Sequence, residues 1–385
     1  MHAPDPIIQL SGLLKYWDTL QEEEQKNLAY SIRHIDPRVW HQQIQVLAED
    51  LVSDTLELPC PDWIVQSTSP RYQESGFCAI QEGRVGVVVL AGGEGSRLQF
   101  TGPKGCYPIL PTETLFSLLA KKILQASEKA QRPLSLAIMT SPRNHAESVA
   151  HFEVNNYFGL QKSQLFFFTQ THLPLLNEEG QPFLTSPSTL AEGPDGNGRA
   201  LYHFLLSSAK EAWEQQGVEY LQVLPVDNPL ANPYDEELIG FHRENQLEIS
   251  LRSIPPKKPE EKLGRLVCRN NKPCIIEYTE LPPTLMEHTV GNTGLFCFSL
   301  SFLKQQQNQL ASLPLHKAWK KTFAFGLEKW AWKFETFIFD ALPLSNHFRT
   351  LLSERNTCFA PLKNAFGEDS PETVRALLQN RDEVV

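Results

Sequence analysis

An unbroken apolar run that ends in a glycine-rich turn is the feature that most constrains this sequence. Residues 86–90 read Gly-Val-Val-Val-Leu, and the turn that follows reads Ala-Gly-Gly-Glu-Gly. Such a run is typical of a strand that is buried on both faces of a parallel sheet, with helices on either side. The glycines let the backbone approach a charged ligand and direct successive N–H groups toward it. Because Arg97 and Lys104 follow with the positive charge that a polyphosphate needs, the pattern predicts a nucleotide site.

Two common phosphate-binding motifs do not fit this loop. A Walker A motif needs Ser or Thr directly after its lysine, whereas Lys104 is followed by Gly105. The dinucleotide-binding fingerprint needs a third glycine at the position that Leu98 occupies. An ordinary strand-to-helix turn with exposed cations is the alternative interpretation, but it leaves the combination of Arg97 with Pro103-Lys104 unexplained.

The net charge of the chain limits its partners. The 385 residues carry a formal net charge of -10, which argues against nucleic acid as a partner. A site for anionic substrates must therefore be locally positive. We expect Arg97, Lys104 and at least one further cation to converge there. With 41% hydrophobic residues, the chain belongs among globular rather than disordered proteins.

The cysteines and the first residues indicate a cellular location. None of the seven cysteines forms a CxxC pair, and most lie in apolar runs typical of buried positions. The first six residues do not form a signal peptide, and no apolar stretch approaches the ~18 residues that span a bilayer. We therefore expect a cytoplasmic protein without a membrane partner. The oligomeric state stays open, a monomer included, and the histidines form no HExxH or triad arrangement.

Helical and linker patterns predict three regions along the chain. Residues 7–52 carry apolar side chains such as Trp40, Ile44, Leu47 and Leu51 at helical spacing, and Asp36-Pro37 is typical of a helix start. Linkers rich in proline and serine follow at 58–61 and 67–70. This predicts an N-terminal helical subdomain with its linker at 1–75, a catalytic domain at 76–345 and a short C-terminal segment at 346–385.

Strands and helices alternate through the predicted catalytic domain. The predicted strands are Gly86–Leu90, Leu134–Met139, Leu165–Phe168, Tyr220–Val226, Ile249–Ile254, Arg265–Arg269, Cys274–Tyr278 and Gly294–Leu300. We predict one amphipathic helix at Arg199–Gln215, a solvated hairpin loop at Lys257–Lys262 and a short helix near Thr373–Leu378. The pattern predicts an α/β fold, with a mostly parallel, doubly wound sheet and an antiparallel extension.

Polar groups follow three of the predicted strands. In an open α/β sheet, ligands bind beyond the carboxyl ends of the strands. The glycine turn follows the first strand, Thr169-Gln170 follows the third, and Asp227-Asn228 follows the fourth. A carboxylate at such an edge can hold Mg²⁺ together with substrate phosphates. Asp227 is therefore a candidate magnesium ligand, and the alternative is that it caps the following turn.

The segment Ala191–Gly198 precedes the helix predicted at 199–215. Its glycines could place free N–H groups of the helix start beside a ligand, and Asn197 offers both a donor and an acceptor. A plain turn explains this composition equally well.

Several segments together resemble one known family. The pattern Leu-Ala-Gly-Gly-x-Gly-Ser-Arg-Leu at 90–98, with Pro-Lys-Gly at 103–105, resembles the signature of sugar-1-phosphate nucleotidylyltransferases. With the 191–198 segment and later motifs, residues 86–376 resemble the UDP-N-acetylglucosamine pyrophosphorylase branch of the UDP-sugar pyrophosphorylase (UDPGP type 1) family. The later motifs are Pro225–Asn228, Cys268-Arg269 with Ile276–Tyr278, Gly291-Asn292, Lys333 with Phe337–Asp340, and Pro361–Ala365. The resemblance implies a nucleotidyltransferase fold of the Rossmann-like, GT-A-like type.

The resemblance also implies a role for each matching residue. The residues that would contact the nucleotide are Gly92, Gly93, Gln170 and Gly196, with Gln170 recognising uracil. The residues that would contact the phosphate groups and be catalytic are Arg97, Lys104 and Lys333. The residues around the sugar would be Asn197, Gly264, Glu277 and Asn292, and Asp227 would hold Mg²⁺. Without the family, exposed polar side chains would explain Gln170, Glu277 and Lys333 better.

The sequence departs from the longer members of the family at three places. Gln99 stands where they have Gly, and Ser96 stands where they have Thr. The segment between Glu277 and Asn292 is shorter than theirs, at the place where sugar selectivity would be set. Because the sequence ends at Val385, we also expect no counterpart of their C-terminal β-domain.

The resemblance implies a uridylyltransferase that converts UTP and a hexose 1-phosphate to a UDP-sugar and pyrophosphate. N-acetylglucosamine 1-phosphate is the expected sugar substrate, and UTP–glucose-1-phosphate uridylyltransferase activity is an alternative. A non-catalytic sugar-nucleotide-binding protein is an alternative of another class, although such a protein would be expected to lose Arg97 or Lys104. A glycosyltransferase would favour Asp-x-Asp where this chain has Asp227-Asn228-Pro229.

Overall fold

The computed structural model describes residues 10–48, 55–66 and 69–382. Its helices are α1 Leu10–Leu13, α2 Glu22–Arg33, α3 Pro37–Ala48, α4 Pro70–Gln81, α5 Leu115–Ala130, α6 His145–Val154, α7 Ala200–Leu205, α8 Ser208–Gln215, α9 Glu236–Glu244, α10 Pro283–Met286, α11 Leu300–Gln305, α12 Gln307–Ala311, α13 Arg355–Cys358 and α14 Pro371–Asp382. Its strands are β1 Leu56–Glu57, β2 Ile64–Val65, β3 Val85–Leu90, β4 Pro108–Leu110, β5 Glu113–Thr114, β6 Leu136–Thr140, β7 Leu165–Thr169, β8 His172–Pro174, β9 Leu184–Ser186, β10 Thr189–Leu190, β11 Glu192–Pro194, β12 Tyr220–Pro225, β13 Ile249–Ile254, β14 Arg265–Arg269, β15 Lys272–Ile276, β16 Gly291–Ser299, β17 His316–Ala324, β18 Leu327–Glu335 and β19 Phe348–Leu352.

The chain divides into two units that each draw on three separate stretches of sequence. The ribbon unit comprises the described residues of Met1–Ser53, Thr171–Arg199 and Leu313–Phe337. The sheet unit comprises those of Asp54–Gln170, Ala200–Ser312 and Ile338–Val385. This division is discontinuous, whereas the boundaries predicted at residues 75 and 345 cut the chain into consecutive pieces. Parts of the predictions for 7–52 and 67–70 concern residues 7–9, 49–52 and 67–68, which lie outside the described residues.

The sheet unit is built on a large, mostly parallel sheet. Its central order is β2-β19-β13-β16-β12-β3-β6-β7. The pairs β12–β3, β3–β6 and β6–β7 are parallel, as are β13–β19 and β19–β2. All six residues of β3 are buried, and the following helix α5 buries Leu115, Leu119 and Ile123 in the same core. The predicted α/β class and its parallel sheet are confirmed.

The antiparallel part of the prediction is confirmed with one correction. β16 runs antiparallel to both β12 and β13, and β14 pairs antiparallel with β15. β13 and β14 are each paired with β16 rather than with each other, so Lys257–Lys262 does not close a hairpin. Within that loop, the Glu261 carboxylate accepts hydrogen bonds at 2.7 Å from the Arg355 guanidinium.

The single helix predicted at Arg199–Gln215 is wrong, because two helices occupy this stretch. α7 ends at Leu205 and α8 begins at Ser208. Ser207 has extended backbone angles between them, and its hydroxyl donates to the Phe204 carbonyl at 2.7 Å. A serine hydroxyl that bonds to nearby backbone competes with continuation of a helix, which accounts for the break.

In the sheet unit, α4 and α9 pack backbone against backbone through two glycines. A Cβ atom on Gly76 would overlap the carbonyl of Glu236, and one on Gly240 would overlap the carbonyl of Tyr72. Two helices can approach this closely only where no side chain separates them. These two positions therefore fix how α9, which follows β12 in the chain, packs against α4.

The ribbon unit packs three amino-terminal helices against antiparallel ribbons from later in the chain. The ribbons pair β8 with β11, β9 with β10 and β17 with β18. Leu28 and Trp40 from the helices share a buried cluster with Leu173 and Phe334 from the ribbons. Gln43, fully buried, donates to the Pro174 carbonyl at 2.9 Å. The predicted helices therefore form, but their core includes residues more than a hundred positions away.

None of the helices within residues 10–48, 55–66 and 69–382 combines the length and the apolar composition needed to cross a membrane.

Candidate functional site

The loop that follows β3 is folded back on itself by backbone hydrogen bonds. The Gly95 N–H donates to the Gly102 carbonyl at 3.1 Å, and the Lys104 N–H donates to the Gly93 carbonyl at 3.1 Å. Gly102 has a φ of +124°, a conformation that glycine adopts without strain. The two arms of the loop therefore lie side by side, and Lys104 is fixed at its base beside the end of β3.

Gln170 lies directly against the first glycine of this loop. A Cβ atom on Gly92 would come within 2.7 Å of Gln170 Oε1, so a side chain at position 92 would displace the Gln170 amide. Gln170 is 4% exposed, and its side-chain amide forms no hydrogen bond within the described part of the chain. Such a buried amide retains one acceptor and two donors for a ligand. The structure thus brings together the ends of β3 and β7, as the strand-end argument predicted.

The cation on the outer part of the loop is exposed. Arg97 lies in a 3-10 turn, Ser96–Leu98, and its guanidinium forms no ion pair with the residues that the structure describes. The turn ends at Gln99, which has a left-handed conformation with φ +55° and ψ +32°. The resemblance implied glycine at this position, and left-handed angles explain why glycine suits it.

Lys104 and Asp227 form an ion pair. Lys104 Nζ lies 2.6 Å from Asp227 Oδ2, with side chains that are 11% and 24% exposed. Lys104 comes from the glycine loop and Asp227 follows β12, so the pair joins the ends of two parallel neighbouring strands. Cys106, two residues further on, stays protonated because burial raises the pKa of its thiol to about 12. The polar chemistry of this edge therefore belongs to the lysine and the carboxylate.

The residues present fit a magnesium ion that is held mainly by substrate. Among the described residues, no three His, Cys, Asp or Glu side chains cluster in a way that could hold a metal ion. Asp227 Oδ2 accepts from Lys104, and no hydrogen bond from the described residues reaches Oδ1. Mg²⁺ commonly takes one or two carboxylates and completes its shell with phosphates and water. One carboxylate with a free oxygen matches that requirement.

A cavity of about 230 Å³ joins Asp227 to three of the predicted sugar residues, Gly264, Glu277 and Asn292. Asn292 is anchored by its backbone, because its N–H donates to the Gly264 carbonyl at 2.9 Å. Its Oδ1 accepts from the Gly294 N–H at 2.9 Å, and no hydrogen bond between described residues uses its amide nitrogen. Glu277 is exposed and directly follows β15.

Two lysines of this cavity were not among the predicted site residues. Lys262 and Lys363 line it together with Asp227. Lys262 ends the charged run that we assigned to a solvated loop, so its local sequence gave no indication of a site. Lys363 lies in a matching family motif, but only its neighbours in the fold reveal its place: the Leu362 N–H donates to the Asp227 carbonyl at 2.7 Å. These lysines are further cations beside Asp227, in keeping with the expected convergence of positive charge.

Asn144 was also missed by the sequence analysis. It is 2% exposed, and its side chain donates to backbone carbonyls of the glycine loop at Ala91 and Gly93. An asparagine just before a helix is ordinarily explained as a cap, so nothing in its local sequence distinguishes it.

The remaining predicted residues, Gly196, Asn197 and Lys333, lie in the ribbon unit. Gly196 has a φ of +85°, and a side chain there would overlap the Thr336 backbone. The Gly198 N–H donates to the Thr336 carbonyl at 3.0 Å, which fixes the turn that carries Asn197. On the same strand as Glu335, Lys333 forms an ion pair with it at 2.8 Å. The ribbon unit thus holds the Gly196 turn close to the end of the strand that bears Lys333.

Comparison with known proteins gives a consistent result. The profile of the UDPGP family, described as UTP–glucose-1-phosphate uridylyltransferase, matches residues 29–365. A Schizosaccharomyces pombe protein named "Probable UDP-N-acetylglucosamine pyrophosphorylase" is 33% identical over 337 residues, covering 78% of this chain and 71% of that protein. The Arabidopsis thaliana protein "UDP-N-acetylglucosamine diphosphorylase 2" is 33% identical over 402 residues, covering 94% of this chain and 79% of that protein.

A solved structure gives the same result for the fold. The uridine diphosphate N-acetylglucosamine pyrophosphorylase from Trypanosoma brucei, solved in complex with an inhibitor, superimposes with a TM-score of 0.86 at 25% identity. The match covers 97% of this chain and 82% of that one.

Proposed function

This chain belongs to the UDPGP family of UTP–glucose-1-phosphate uridylyltransferases, and we propose that it joins UTP to an N-acetylhexosamine 1-phosphate, yielding a UDP-sugar and pyrophosphate. The expected substrate is N-acetylglucosamine 1-phosphate, the sugar that the names of the similar Schizosaccharomyces and Arabidopsis proteins carry. A cytoplasmic location and the absence of nucleic-acid and membrane partners stay predictions from the sequence, and the oligomeric state stays open.

The observation that carries this proposal is the side-chain amide of Gln170, which lies against Gly92 and forms no hydrogen bond with described residues. The amide is buried yet forms no hydrogen bond with described residues, and it lies on the same glycine loop that positions Lys104. Burying an amide without partners is unfavourable unless a ligand supplies them. A uracil ring offers the alternating carbonyl and N–H groups that an amide can pair with, and the loop offers N–H groups for the attached phosphates.

The proposed reaction is an in-line displacement at the α-phosphorus of UTP. A phosphate oxygen of the hexose 1-phosphate forms a bond to that phosphorus while the bond to the departing pyrophosphate breaks. The attacking oxygen is already anionic at neutral pH, so no general base is required. The protein has to align two anions and neutralise their repulsion, which is the task we assign to Arg97, Lys104 and Lys333.

We assign Asp227 as the protein ligand of Mg²⁺. The Oδ1 atom of Asp227, to which no described residue donates, supports a site that the substrate completes. When bound, the ion supplies charge neutralisation on the phosphate oxygens. The contribution of Lys104 is distinct, because its ammonium lies beside Asp227 before any nucleotide binds.

We place the sugar in the 230 Å³ cavity that Gly264, Glu277 and Asn292 line. A carboxylate such as Glu277 can accept hydrogen bonds from two neighbouring hydroxyls, and the free amide nitrogen of Asn292 can donate one. Lys262 and Lys363 add positive charge on the same cavity, which suits an incoming sugar that carries a phosphate.

The decisive experiment measures pyrophosphate release over a panel of substrates. We expect release with UTP and N-acetylglucosamine 1-phosphate, with slower release for glucose 1-phosphate and for CTP or ATP. Faster turnover of glucose 1-phosphate would instead favour the alternative uridylyltransferase. Release of UDP from a UDP-sugar without pyrophosphate chemistry would indicate a glycosyltransferase.

A binding measurement separates the remaining alternative. If the protein binds UDP-N-acetylglucosamine tightly but releases no pyrophosphate with any pair, it is a non-catalytic sugar-nucleotide-binding protein. The presence of Arg97, Lys104 and Asp227 argues against that outcome, since a binding module needs neither catalytic cations nor a metal ligand.

A further inference from the structure

Asn144 joins helix α6 to the glycine loop. It occupies the position before α6, yet its side chain forms no capping bond to that helix. Instead, Nδ2 donates to the Ala91 carbonyl at 3.0 Å and to the Gly93 carbonyl at 3.2 Å. Its Oδ1 accepts from the Ser141 N–H at 2.8 Å, so both donors and the acceptor of the amide are in use.

The Gly93 carbonyl is shared with Lys104. It accepts from Asn144 Nδ2 on one side and from the Lys104 N–H at 3.1 Å on the other. Lys104 in turn directs its ammonium to Asp227 at 2.6 Å. A short chain of hydrogen bonds therefore runs from the buried Asn144 amide, through one glycine carbonyl, to the lysine assigned to the reacting phosphate.

The same two donors fix the direction of the loop's peptide groups. A carbonyl that is held toward Asn144 turns the N–H of the same peptide group toward the opposite side, since the peptide is planar. With both Ala91 and Gly93 carbonyls held, the N–H groups of Gly92 and Glu94 are fixed facing away from Asn144. A glycine-rich loop has many accessible conformations, so this restraint has a large effect on its order.

We propose that Asn144 is the positioning residue of the nucleotide loop: it holds the peptides of residues 91–93 and, through Gly93, the backbone of Lys104 in the arrangement that receives the triphosphate. This deepens the proposed function and rests on it for its kinetic consequence. Its structural consequence, an ordered loop before any ligand binds, is independent of the reaction.

Gln164 provides a matched control in the same unit. It is 5% exposed, its Nε2 donates to the Leu134 carbonyl at 2.7 Å, and its Oε1 accepts from the Gln161 N–H at 2.9 Å. Like Asn144, it is a buried amide that holds backbone groups, but it lies before β7 and contacts no residue assigned to the site. Asn144→Ala and Gln164→Ala therefore remove similar bonds at different places.

The first measurement is steady-state kinetics together with thermal unfolding. Without the Asn144 amide, two backbone carbonyls of the loop lose a hydrogen bond. The loss of these bonds should lower kcat/KM for UTP about ten- to a hundredfold. We expect this for Asn144→Ala, with KM for the sugar phosphate changed less than twofold and a melting temperature close to that of Gln164→Ala. Gln164→Ala should keep kcat/KM within twofold. Equal kinetic effects in the two variants, or none in Asn144→Ala, would overturn the proposal.

The second measurement needs no activity. Amide hydrogen exchange of the peptide that covers residues 91–104 is followed in the ligand-free protein. We expect exchange at least tenfold faster in Asn144→Ala than in wild type, with no change in Gln164→Ala. Unchanged exchange would refute the positioning role even in an active enzyme. If exchange is faster in Asn144→Ala but the wild-type protein releases no pyrophosphate with any substrate pair, the proposed function is removed and the loop restraint stands.

Discussion

At the scale of single residues, the ion pair between Lys104 and Asp227 organises the site. Each charge lies at the end of a parallel strand, and each would be poorly solvated without the other, since both side chains are mostly buried. Breaking a largely buried pair by removing one partner leaves a charge that nothing compensates. Variants of either residue therefore need a control variant that breaks an ion pair of the same length outside the site.

Lys104→Gln should lower turnover by on the order of 10²–10³, by analogy with the loss of one preorganised donor at a developing charge. The measurement is kcat for pyrophosphate release at saturating UTP. Lys129→Gln serves as the control, because Lys129 Nζ forms an ion pair with Glu236 at 2.6 Å outside the predicted site. Near-normal turnover of Lys104→Gln would contradict the mechanism.

Asp227→Asn should remove the activity that Mg²⁺ supports. The amide keeps the shape of the side chain but cannot supply the negative oxygen that the ion requires. The measurement is a titration of activity with Mg²⁺ after chelation. Glu236→Gln, which removes the partner of Lys129, should keep the wild-type response, and the metal assignment fails if Asp227→Asn keeps it as well.

The left-handed conformation of Gln99 predicts a difference between two substitutions. Asn adopts these angles more readily than most residues, whereas a β-branched side chain is strongly disfavoured there. Gln99→Asn should leave the free energy of unfolding within about 0.5 kcal/mol, and Gln99→Val should lower it by about 1–2 kcal/mol. Urea unfolding measures both, and equal stability of the two variants would show that residue 99 does not keep this conformation.

Some site residues could be predicted from the sequence for a definite physical reason. Gln170 and Asp227 each follow an apolar strand directly, so the rule for strand ends places them at one edge of the sheet. Lys262 and Asn144 could not be found in this way. Lys262 sits in a loop whose course depends on distant partners, and Asn144 acts through a carbonyl of a loop about fifty residues earlier.

At the scale of helices and strands, the contact between α4 and α9 is the most sensitive point. Gly76→Ala and Gly240→Ala each place a methyl group on a backbone carbonyl of the other helix, which cannot rotate out of the way. Overpacking of this kind costs about 1–3 kcal/mol or more. We expect the melting temperature of each variant to fall by several degrees.

Gly12→Ala is the matched control for these helix variants. It also lies in a helix, but a Cβ atom there would meet nothing within 4 Å. Alanine has the higher helix propensity, so this variant should be neutral or slightly more stable. Thermal unfolding followed by circular dichroism compares all three, and a loss in Gly12→Ala as large as in the others would refute the packing explanation.

The strands of the parallel sheet could be predicted because they are buried on both faces. Strands buried on both faces have continuous apolar sequences, and β3, β6, β7 and β12 lie where such runs occur. The break between α7 and α8 was not predictable from periodicity, because Ser207 is compatible with a helix surface. The hydrogen bond from its hydroxyl to the Phe204 carbonyl accounts for the break, and the sequence alone does not reveal that hydrogen bond.

At the scale of the whole molecule, the sequence indicated the fold class but not the division into units. Local periodicity reports whether a segment is a helix or a strand, and carries no information on which distant segment covers it. The helices before residue 48 were correctly predicted, yet the partners of Trp40 and Leu28 come from residues 173–190 and 315–334. A linear boundary was therefore the natural prediction, and the discontinuous units required the structure.

His242 predicts how the global stability depends on pH. It is fully buried between the hydroxyls of Ser250 and Ser299, and burial lowers its pKa to about 3. The unfolded chain binds a proton near pH 6.5, so between pH 6.5 and 3 the unfolded state carries more protons. The free energy of unfolding should therefore fall as the pH falls, by up to about 1.4 kcal/mol per pH unit.

Urea unfolding of wild type and His242→Gln at pH 7 and pH 5 tests this. The glutamine has no titrating ring, so the stability difference between the two proteins should shrink at pH 5. His288→Gln, in which the replaced ring is exposed, should follow the wild-type dependence. A parallel pH dependence of wild type and His242→Gln would contradict the prediction.

The discontinuous ribbon unit also has a consequence for biosynthesis. Residues 10–48 leave the ribosome early, whereas the ribbon bearing Phe334, which completes their core, is translated nearly three hundred residues later. At about 5–20 residues per second, that interval lasts roughly 15–60 s. Until then the apolar sides of α2 and α3 lack part of their native cover on the nascent chain, so they are natural contacts for a chaperone. Helices α2 and α3, which are translated long before Phe334, thus reach their complete native environment only late in synthesis.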